Sequence, residues 1–233
     1  MIGKYLADLR TWPHDAAWGW QSGGIAGLWE ECADRTLHRV WRRNAHLLLR
    51  QQLASVVEVP PPGGIRVEPF SGPDWSVLEP IASRKSLAAF ARASSATRTC
   101  FVAWRGAQPL GYGWVGDRAP ALETYGLELP PDAAWYWGLY VSPGVRGLGI
   151  GAALLAARQA YARQRGFREA WQLIPVGNEA SLRSLAKTAG AGSEIVGTLR
   201  ATKILRRMRA RFTPCPEGPR TVPSDVPAVR SGG

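Results

Sequence analysis

The sequence predicts a mixed α/β fold, and three observations carry this prediction. Short runs rich in β-branched and aromatic residues, bounded by Gly, Pro and polar residues, recur between residues 65 and 212 and are typical of strands. Residues 150–165 have the apolar spacing of a helix. A hydrophobic content of 45% in 233 residues is enough for a substantial core. We therefore expect one domain with additions, or two small domains.

The first 62 residues form a Trp-rich extension that ends in a Pro/Gly linker, "VPPPGG" at 59–64. Residues 27–41 have roughly helical apolar spacing, whereas "HLLLRQQL" (46–53) is more strand-like. The extension is too apolar for a loose tail, so we expect it to pack on the domain at 63–212 and to pair with its last strands. It holds five tryptophans: Trp12, Trp18, Trp20, Trp29 and Trp41.

The first half of the main domain reads as a strand, short helices and a hairpin. "IRVEPF" (65–70) alternates like a strand, and residues 71–94 carry helix-start residues followed by apolar periodicity. Two aromatic-rich runs flank Arg105-Gly106-Ala107-Gln108, which predicts a hairpin over 99–117. "AAWYWGLYV" (133–141) is strongly strand-prone.

The second half begins with the clearest helix, residues 150–165, which we expect Gly166 to end. Its apolar stripe is Ile150, Leu154, Ala157 and Tyr161, and its expected polar cover is Arg158, Gln159, Arg163 and Arg165. A strand at 169–176, an Asn-capped helix at 178–190 and strands at 193–205 and 207–212 follow. The Pro-rich tail, residues 213–233, is expected to be disordered.

A glycine-rich stretch joins the strand at 133–141 to the helix at 150–165. In "LYVSPGVRGLGIGAALLAA" (139–157), Arg146 precedes Gly147, Gly149 and Gly151. Glycines let a ligand approach the backbone amides, a helix N-terminus attracts anions, and arginine binds phosphate with paired hydrogen bonds. The stretch therefore indicates a phosphate site. The alternative is a turn that packs a helix closely on a sheet.

Two other phosphate-binding patterns fit less well. A P-loop needs Lys-Ser or Lys-Thr after the glycines, and neither follows here. Gly147, Gly149 and Ala152 fit the dinucleotide-binding pattern G-x-G-x-x-A, with Glu169 about 20 residues on. Glu169 would, however, lie at the start of the next strand, where the ribose partner should lie at its end. The motif also comes too late in the chain for a doubly wound sheet.

The segment Arg146-Gly147-Leu148-Gly149-Ile150-Gly151 matches R/Q-x-x-G-x-G/A at every fixed position. It resembles motif A of the GNAT superfamily of acyl-CoA-dependent N-acyltransferases. The hairpin at 99–117 resembles that family's second and third strands. Asn178, Ser181 and Lys187 resemble its motif B. The resemblance covers about residues 65–212.

This resemblance implies a mixed, mostly antiparallel, splayed sheet flanked by helices, with acetyl-CoA as co-substrate and no metal. It implies transfer of an acetyl group to an amine by direct attack in a ternary complex. An N–H of Leu139 or Val141 would stabilise the oxyanion. The implied cofactor-binding residues are Leu139, Tyr140, Val141, Arg146, Gly147, Leu148, Gly149, Ile150, Gly151, Asn178 and Ser181.

The sequence departs from the family pattern where acid–base residues are common. Leu185 stands where many members have a Tyr, Leu173 where a Glu is frequent, and Ala189 where Gly is usual. The remaining catalytic candidates are Glu123, Tyr136 and Tyr140. Each also has an ordinary explanation: a solvated loop acid for Glu123, and core or rim aromatics for the tyrosines.

Charge leaves the partners open. The net charge is +11, with acid-free arginine clusters at 35–50 and 200–211 that could lie together and attract an acidic protein or a nucleic acid. A solvated basic face explains the same residues. We keep two alternatives to the acetyltransferase: an enzyme whose donor is an acyl carrier protein or a longer acyl-CoA, and a non-catalytic binding module.

No apolar run is long enough to span a membrane, and the three cysteines are widely spaced, so we expect a cytoplasmic protein.

Overall fold

The structure is a computed structural model that describes residues 25, 29, 41–56, 59–123, 125–189, 192–204 and 207–222. Its centre is a sheet of nine strands: β1 (Trp41–Gln52), β2 (Arg66–Phe70), β3 (Arg98–Arg105), β4 (Gln108–Gly116), β5 (Ala133–Val141), β6 (Glu169–Pro175), β7 (Ser193–Ile204), β8 (Arg207–Pro214) and β9 (Arg220–Thr221). The strand order is β2-β3-β4-β5-β6-β1-β7-β8, and β9 pairs with β7.

All neighbouring strands are antiparallel except β5 and β6, which run parallel. That parallel pairing extends only from Ala133–Glu169 to Tyr136–Gln172. Beyond Tyr136 the two strands diverge, while β5 stays paired with β4 as far as Val141. The predicted mixed, mostly antiparallel and splayed sheet is confirmed, and the splay opens a cleft at the carboxyl ends of β5 and β6.

Four helices of the described part flank the sheet: α1 (Arg84–Ala93), α2 (Pro120–Glu123), α3 (Ile150–Gln164) and α4 (Glu179–Ala189). The inner face of α3 packs Ile150 and Leu154 against residues such as Phe101 of β3. The opposite face of β3, which carries Cys100 and Val102, packs under α1 and the 3₁₀ turn at Trp75–Leu78. Because strand side chains alternate between faces, one hairpin contributes to both cores.

The hairpin at 99–117 and the helix at 150–165 agree closely with their predictions, but the polar side of α3 does not. Arg158 and Gln159 were expected to face solvent, yet each is only 1% exposed. Arg163 is exposed as expected. The helix is covered on more sides than its apolar stripe indicates, because the sheet lies on one side of it and both β1 and α4 contribute neighbours to Gln159.

The extension supplies an internal strand. Within β1, His46–Gln52 pairs with β6 and Trp41–Gln51 pairs with β7, so the expected pairing with a terminal strand is confirmed. Gln159 of α3 donates to Gln51 of β1 at 2.8 Å and to Thr188 of α4 at 3.2 Å, and all three side chains are buried. The predicted helix at 27–41 lies almost entirely outside the described residues. Its last residue, Trp41, begins β1.

The segment expected to be disordered begins with ordered backbone. Strand β8 continues to Pro214, two residues past the predicted boundary, and β9 pairs Arg220 and Thr221 with β7. The Cys215 amide donates to the Val196 carbonyl at 3.1 Å, and Val222 is buried. Prolines that remove donors are tolerated here because β8 and β9 lie at the edge of the sheet. Residues 223–233 lie outside the described part.

In the part of the chain that the structure describes, no helix is long and apolar enough to cross a membrane.

Candidate functional site

The cleft between the diverging ends of β5 and β6 has a volume of about 430 Å³. It is lined by three segments: the end of β5, the turn that leads into α3, and the inner side of α4. The lining residues are Leu139, Tyr140, Val141, Val145, Arg146, Gly147, Gly149, Ile150, Gly151, Ala152, Asn178, Ala180, Ser181, Arg183, Ser184 and Lys187.

The turn from β5 into α3, residues 142–149, is here called the glycine loop. Gly147 and Gly149 have φ of 84° and 86°, a left-handed conformation that other residues rarely adopt. Gly149 is the N-cap of α3, and its carbonyl accepts the amide of Ala153 at 3.0 Å. The amides of Ile150, Gly151 and Ala152 therefore have no carbonyl partner within the helix and form an anion-binding N-terminus.

Gly151 keeps the cleft open between the two helices. A Cβ at this position would lie 3.2 Å from Ser184 Oγ of α4 and 3.7 Å from Val141 Cγ2 of β5. Any side chain at residue 151 would therefore project into the space where the three lining segments meet. Three left-handed or space-limited glycines thus lie at one opening, and the close approach of a ligand to their backbone stays a prediction.

The cleft is positively charged. Arg146, Arg183 and Lys187 line it, and no carboxylate is among its described lining residues. Arg146 Nε donates to the Val141 carbonyl at 3.1 Å, which holds this exposed side chain at the mouth of the cleft. Arg183 is partly neutralised by Glu179, at 3.4 Å. Three cations together with the α3 N-terminus suit a ligand that carries several negative charges.

Strand β5 directs backbone groups that pair with no strand toward the cleft. The Ser142 amide donates to Leu110 of β4 at 2.8 Å, so that amide points away from the cleft. Because backbone groups alternate in direction along a strand, Val141 directs its N–H and C=O to the opposite side, where β6 has diverged. The bond from Arg146 to the Val141 carbonyl agrees with this direction. Leu139, two residues earlier, also lines the cleft.

At the start of α4, Asn178 is a helix cap. Its Oδ1 accepts the Ser181 amide at 3.1 Å, and both residues line the cleft. The cap sets the position of the α4 N-terminus beside that of α3, so two helix dipoles point toward one space. The predicted cap is confirmed, and the residue also lines the cleft, while its contact with a ligand stays a prediction.

The structure separates the three catalytic candidates. Glu123 is exposed at the end of α2 and is not among the cleft residues. Tyr136 is 1% exposed and lies under the Arg158 guanidinium in the core, where burial raises the pKa of its hydroxyl. Tyr140 lines the cleft, half-buried, with its ring stacked on Tyr112 at 5.5 Å. Burial raises the pKa of Tyr140, and nearby Arg146 offsets part of the rise.

Two positions where the family often has an acid or base, and this chain has leucine, are both packed against other apolar residues. Leu185 of α4, where a Tyr is common, is 1% exposed and lies in the same core cluster as Ile150 and Leu154 of α3. Leu173 packs beside Leu48 and Trp171 on the other face of the sheet. Neither position can supply an acid or base. Glu169, the alternative ribose partner, binds Gln52 and the Trp171 indole at the start of β6, at the opposite end of that strand from the cleft.

All the expected cofactor-binding residues except Leu148 line the cleft, and Leu148 is instead 51% exposed beside it. Sequence reasoning left out six lining residues: Val145, Ala152, Ala180, Arg183, Ser184 and Lys187. Those on α4 recur every three or four residues from Ala180, so they share one face of the helix, and only a count that starts at Ala180 would have grouped them. Among the residues the structure describes, no group of His, Cys, Asp and Glu is placed to hold a metal.

These features define a positively charged cleft between a strand edge and a helix N-terminus in a splayed α/β sheet. The chain matches the acetyltransferase (GNAT) family over residues 66–191, more than half of its length. It therefore belongs to the GNAT acetyltransferase family, whose members use acyl-CoA as co-substrate. None of the curated proteins compared with the chain matches it.

Solved structures show the same fold. A Drosophila protein superimposes with a TM-score of 0.52 at 13% identity, covering 79% of this chain and 68% of that one. The glucosamine N-acetyltransferase region of a fungal β-N-acetylglucosaminidase gives 0.51 at 12% identity, covering 73% and 22%. A GCN5-related N-acetyltransferase from Sphaerobacter thermophilus gives 0.48 at 14% identity, covering 76% of this chain. The chain spans 57% of the Sphaerobacter protein's length.

Proposed function

We propose that this chain transfers an acetyl group from acetyl-CoA to an amine by direct attack. The observation that carries the proposal is the cleft, in which the α3 N-terminus and three cations adjoin the edge of β5 from which β6 has diverged. The residues present suit the co-substrate: free amides and cations for the phosphates, and a strand edge for the amide-bearing pantetheine arm. When bound, acetyl-CoA supplies an activated thioester.

The residues proposed to bind acetyl-CoA have different roles at the two ends of the cleft. The amides of Ile150, Gly151 and Ala152 and the Arg146 guanidinium hold phosphate oxygens at the mouth of the cleft. The N–H of Val141 and the backbone groups of Leu139 bind the arm as an added strand would, while the Val141 carbonyl accepts Arg146 Nε. One of these N–H groups can donate to the thioester carbonyl oxygen, where negative charge develops during attack. Holding both reactants in line supplies much of the rate.

We assign the proton donor for the leaving thiolate to Tyr140. It lines the cleft, whereas Glu123 and Tyr136 do not. Burial raises its pKa above the ordinary value of 10.0, so its hydroxyl is protonated at neutral pH and carries the proton that the thiolate needs. The described lining residues include no carboxylate or histidine, so the attacking amine loses its proton to water or enters already neutral.

Calorimetry and a thiol-release assay test the proposal together. Acetyl-CoA should bind the full-length protein at one site, and a panel of amines should identify at least one that releases free CoA. Tyr140→Phe should lower the turnover rate and leave acetyl-CoA affinity unchanged. Binding without release for any amine would favour the non-catalytic module. Preference for a long-chain acyl-CoA or an acyl carrier protein over acetyl-CoA would favour the alternative donors.

We also propose that one face of β7 and β8 binds a polyanion. Arg200 lies directly opposite Arg211, and Arg209 opposite Thr202, so the three arginines share one exposed face. None of the three makes an ion pair with another described residue. Like charges directly opposite each other are unfavourable without a counter-charge. Arg35, Arg39 and Arg206 of the two sequence clusters lie outside the described residues.

A salt-dependence measurement tests this second proposal. RNA or an acidic carrier protein retained at low salt should be released at moderate salt, and replacing Arg200, Arg209 and Arg211 with Ser should abolish retention without changing acetyl-CoA affinity. No retention at low salt would contradict it.

A further inference from the structure

Arg158 is a fully buried cation in the middle of α3, 1% exposed. The titratable groups close to it are Tyr136 and Cys100, which are neutral when protonated, and no described carboxylate faces it. Its Nε donates to Leu154 of its own helix at 3.3 Å, and its NH1 donates to the Trp114 carbonyl of β4 at 3.2 Å. The guanidinium lies 4.9 Å from the centre of the Tyr136 ring of β5. One side chain thus joins α3, β4 and β5.

A buried charge without a counter-ion is costly, and a long apolar residue would be the cheaper occupant. Strand β4 nevertheless has a glycine, Gly113, where the Arg158 side chain passes. A Cβ on Gly113 would lie 3.2 Å from both Cζ and Nε of Arg158. The guanidinium contacts Leu154, Trp114 and Tyr136, so it cannot move aside without losing one of these contacts. Glycine at residue 113 therefore leaves the space that the Arg158 side chain occupies.

The residues that Arg158 contacts on β4 and β5 lie next to the place where the cleft begins. Between the pairs Tyr112–Tyr140 and Trp114–Trp137, β4 advances two residues and β5 three, so β5 carries a bulge. Gly138, inside the bulge, has φ of 62°. Trp114 and Tyr136, which Arg158 holds, stand on the closed side of this bulge, and the cleft-lining residues of β5 stand on the open side.

We infer that Arg158 is a positioning residue that aligns the open edge of β5 with the N-terminus of α3. The phosphate end of the cleft belongs to the same helix as Arg158, and the pantetheine end belongs to the strand that Arg158 holds. Its guanidinium therefore fixes the distance between two halves of one ligand site. This inference rests on the proposed binding of acyl-CoA.

The test compares CoA with 3′-phospho-ADP, which keeps all the phosphates and lacks the pantetheine arm. Arg158→Met should lower CoA affinity by about tenfold, the effect of losing one well-formed hydrogen bond, and leave the affinity for 3′-phospho-ADP unchanged. Gly113→Ala, which displaces the guanidinium but keeps it, should give the same split. Arg163→Met, an exposed arginine of the same helix, should change neither affinity.

Equal losses for both ligands, or no loss for CoA, would overturn the inference. The wild-type titration distinguishes this from failure of the proposed function, which would show as no CoA binding at all. If no CoA binds, hydrogen exchange in the free protein tests the positioning role of Arg158. The amides of residues 137–141 should exchange about tenfold faster in Arg158→Met than in Arg163→Met. Equal exchange in the two variants would also overturn it.

Discussion

Arg146 Nε donates to the Val141 carbonyl at 3.1 Å, so the cation of the glycine loop is tied to the open edge of β5. The two terminal nitrogens of the guanidinium remain available for a phosphate, because arginine carries five N–H donors in a fixed fork. A lysine could make either contact but not both. The side chain therefore joins the loop to the strand and leaves two nitrogens for the proposed ligand.

Replacing Arg146 should weaken acetyl-CoA binding without unfolding the protein. Arg146→Ala should lower the affinity about ten- to a hundredfold, the range for a lost charge-assisted hydrogen bond, and Arg146→Lys should recover only part of it. Calorimetry on the folded variants gives the answer. Arg105→Ala, an exposed arginine in the β3–β4 hairpin, is the matched control. Wild-type affinity in Arg146→Ala would remove this side chain from the site.

Gly149→Val should reduce both stability and acetyl-CoA affinity. Gly149 has φ of 86°, which a β-branched residue adopts only with strain, and its amide neighbours form the α3 N-terminus. Thermal melting and calorimetry measure the two effects. Gly144→Val is the control, since Gly144 lies in the same loop with no left-handed φ and nothing within 4 Å of a Cβ. Equal behaviour of the two variants would contradict the special role of residue 149.

The position of β1 illustrates what sequence patterns leave undecided. Residues 46–53 were predicted to be strand-like, but a local pattern describes one segment at a time and cannot choose its partners. The placement of β1 between β6 and β7 follows from long-range pairing. The burial of Arg158 and Gln159 was missed for a related reason: polar residues were assigned to solvent, whereas their partners lie far away in sequence. The glycine loop was located because its chemistry is contained in consecutive residues.

The contact between β1 and the helices should contribute to stability. Gln51→Leu removes the acceptor of the Gln159 amide in a buried setting, so the free energy of unfolding should fall by about 1–3 kcal/mol. Chemical denaturation monitored by Trp fluorescence measures the change. Gln52→Leu, at the adjacent exposed residue, should have a smaller effect. A larger effect at residue 52 would mean that the buried network is unimportant.

The stability of the fold should fall in alkali through Cys100. Burial raises the pKa of this thiol to about 12, above its ordinary value of 9.0. The folded state therefore favours the protonated thiol, and its stabilising contribution is complete below pH 9.0 and is lost as pH rises toward about 12. Denaturation curves across this range should show a smaller decline for Cys100→Ala. The same slope in both proteins would assign the decline to other groups.

The most direct test of the account is hydrogen exchange of the wild-type protein with and without acetyl-CoA. The account predicts that acetyl-CoA slows exchange at residues 139–141, at 147–152 and at 178–184, the three segments that line the cleft, and leaves the β3–β4 hairpin unchanged. Protection elsewhere, or at none of these segments under conditions where acetyl-CoA saturates the protein, would contradict the assignment of this cleft as the acyl-CoA site.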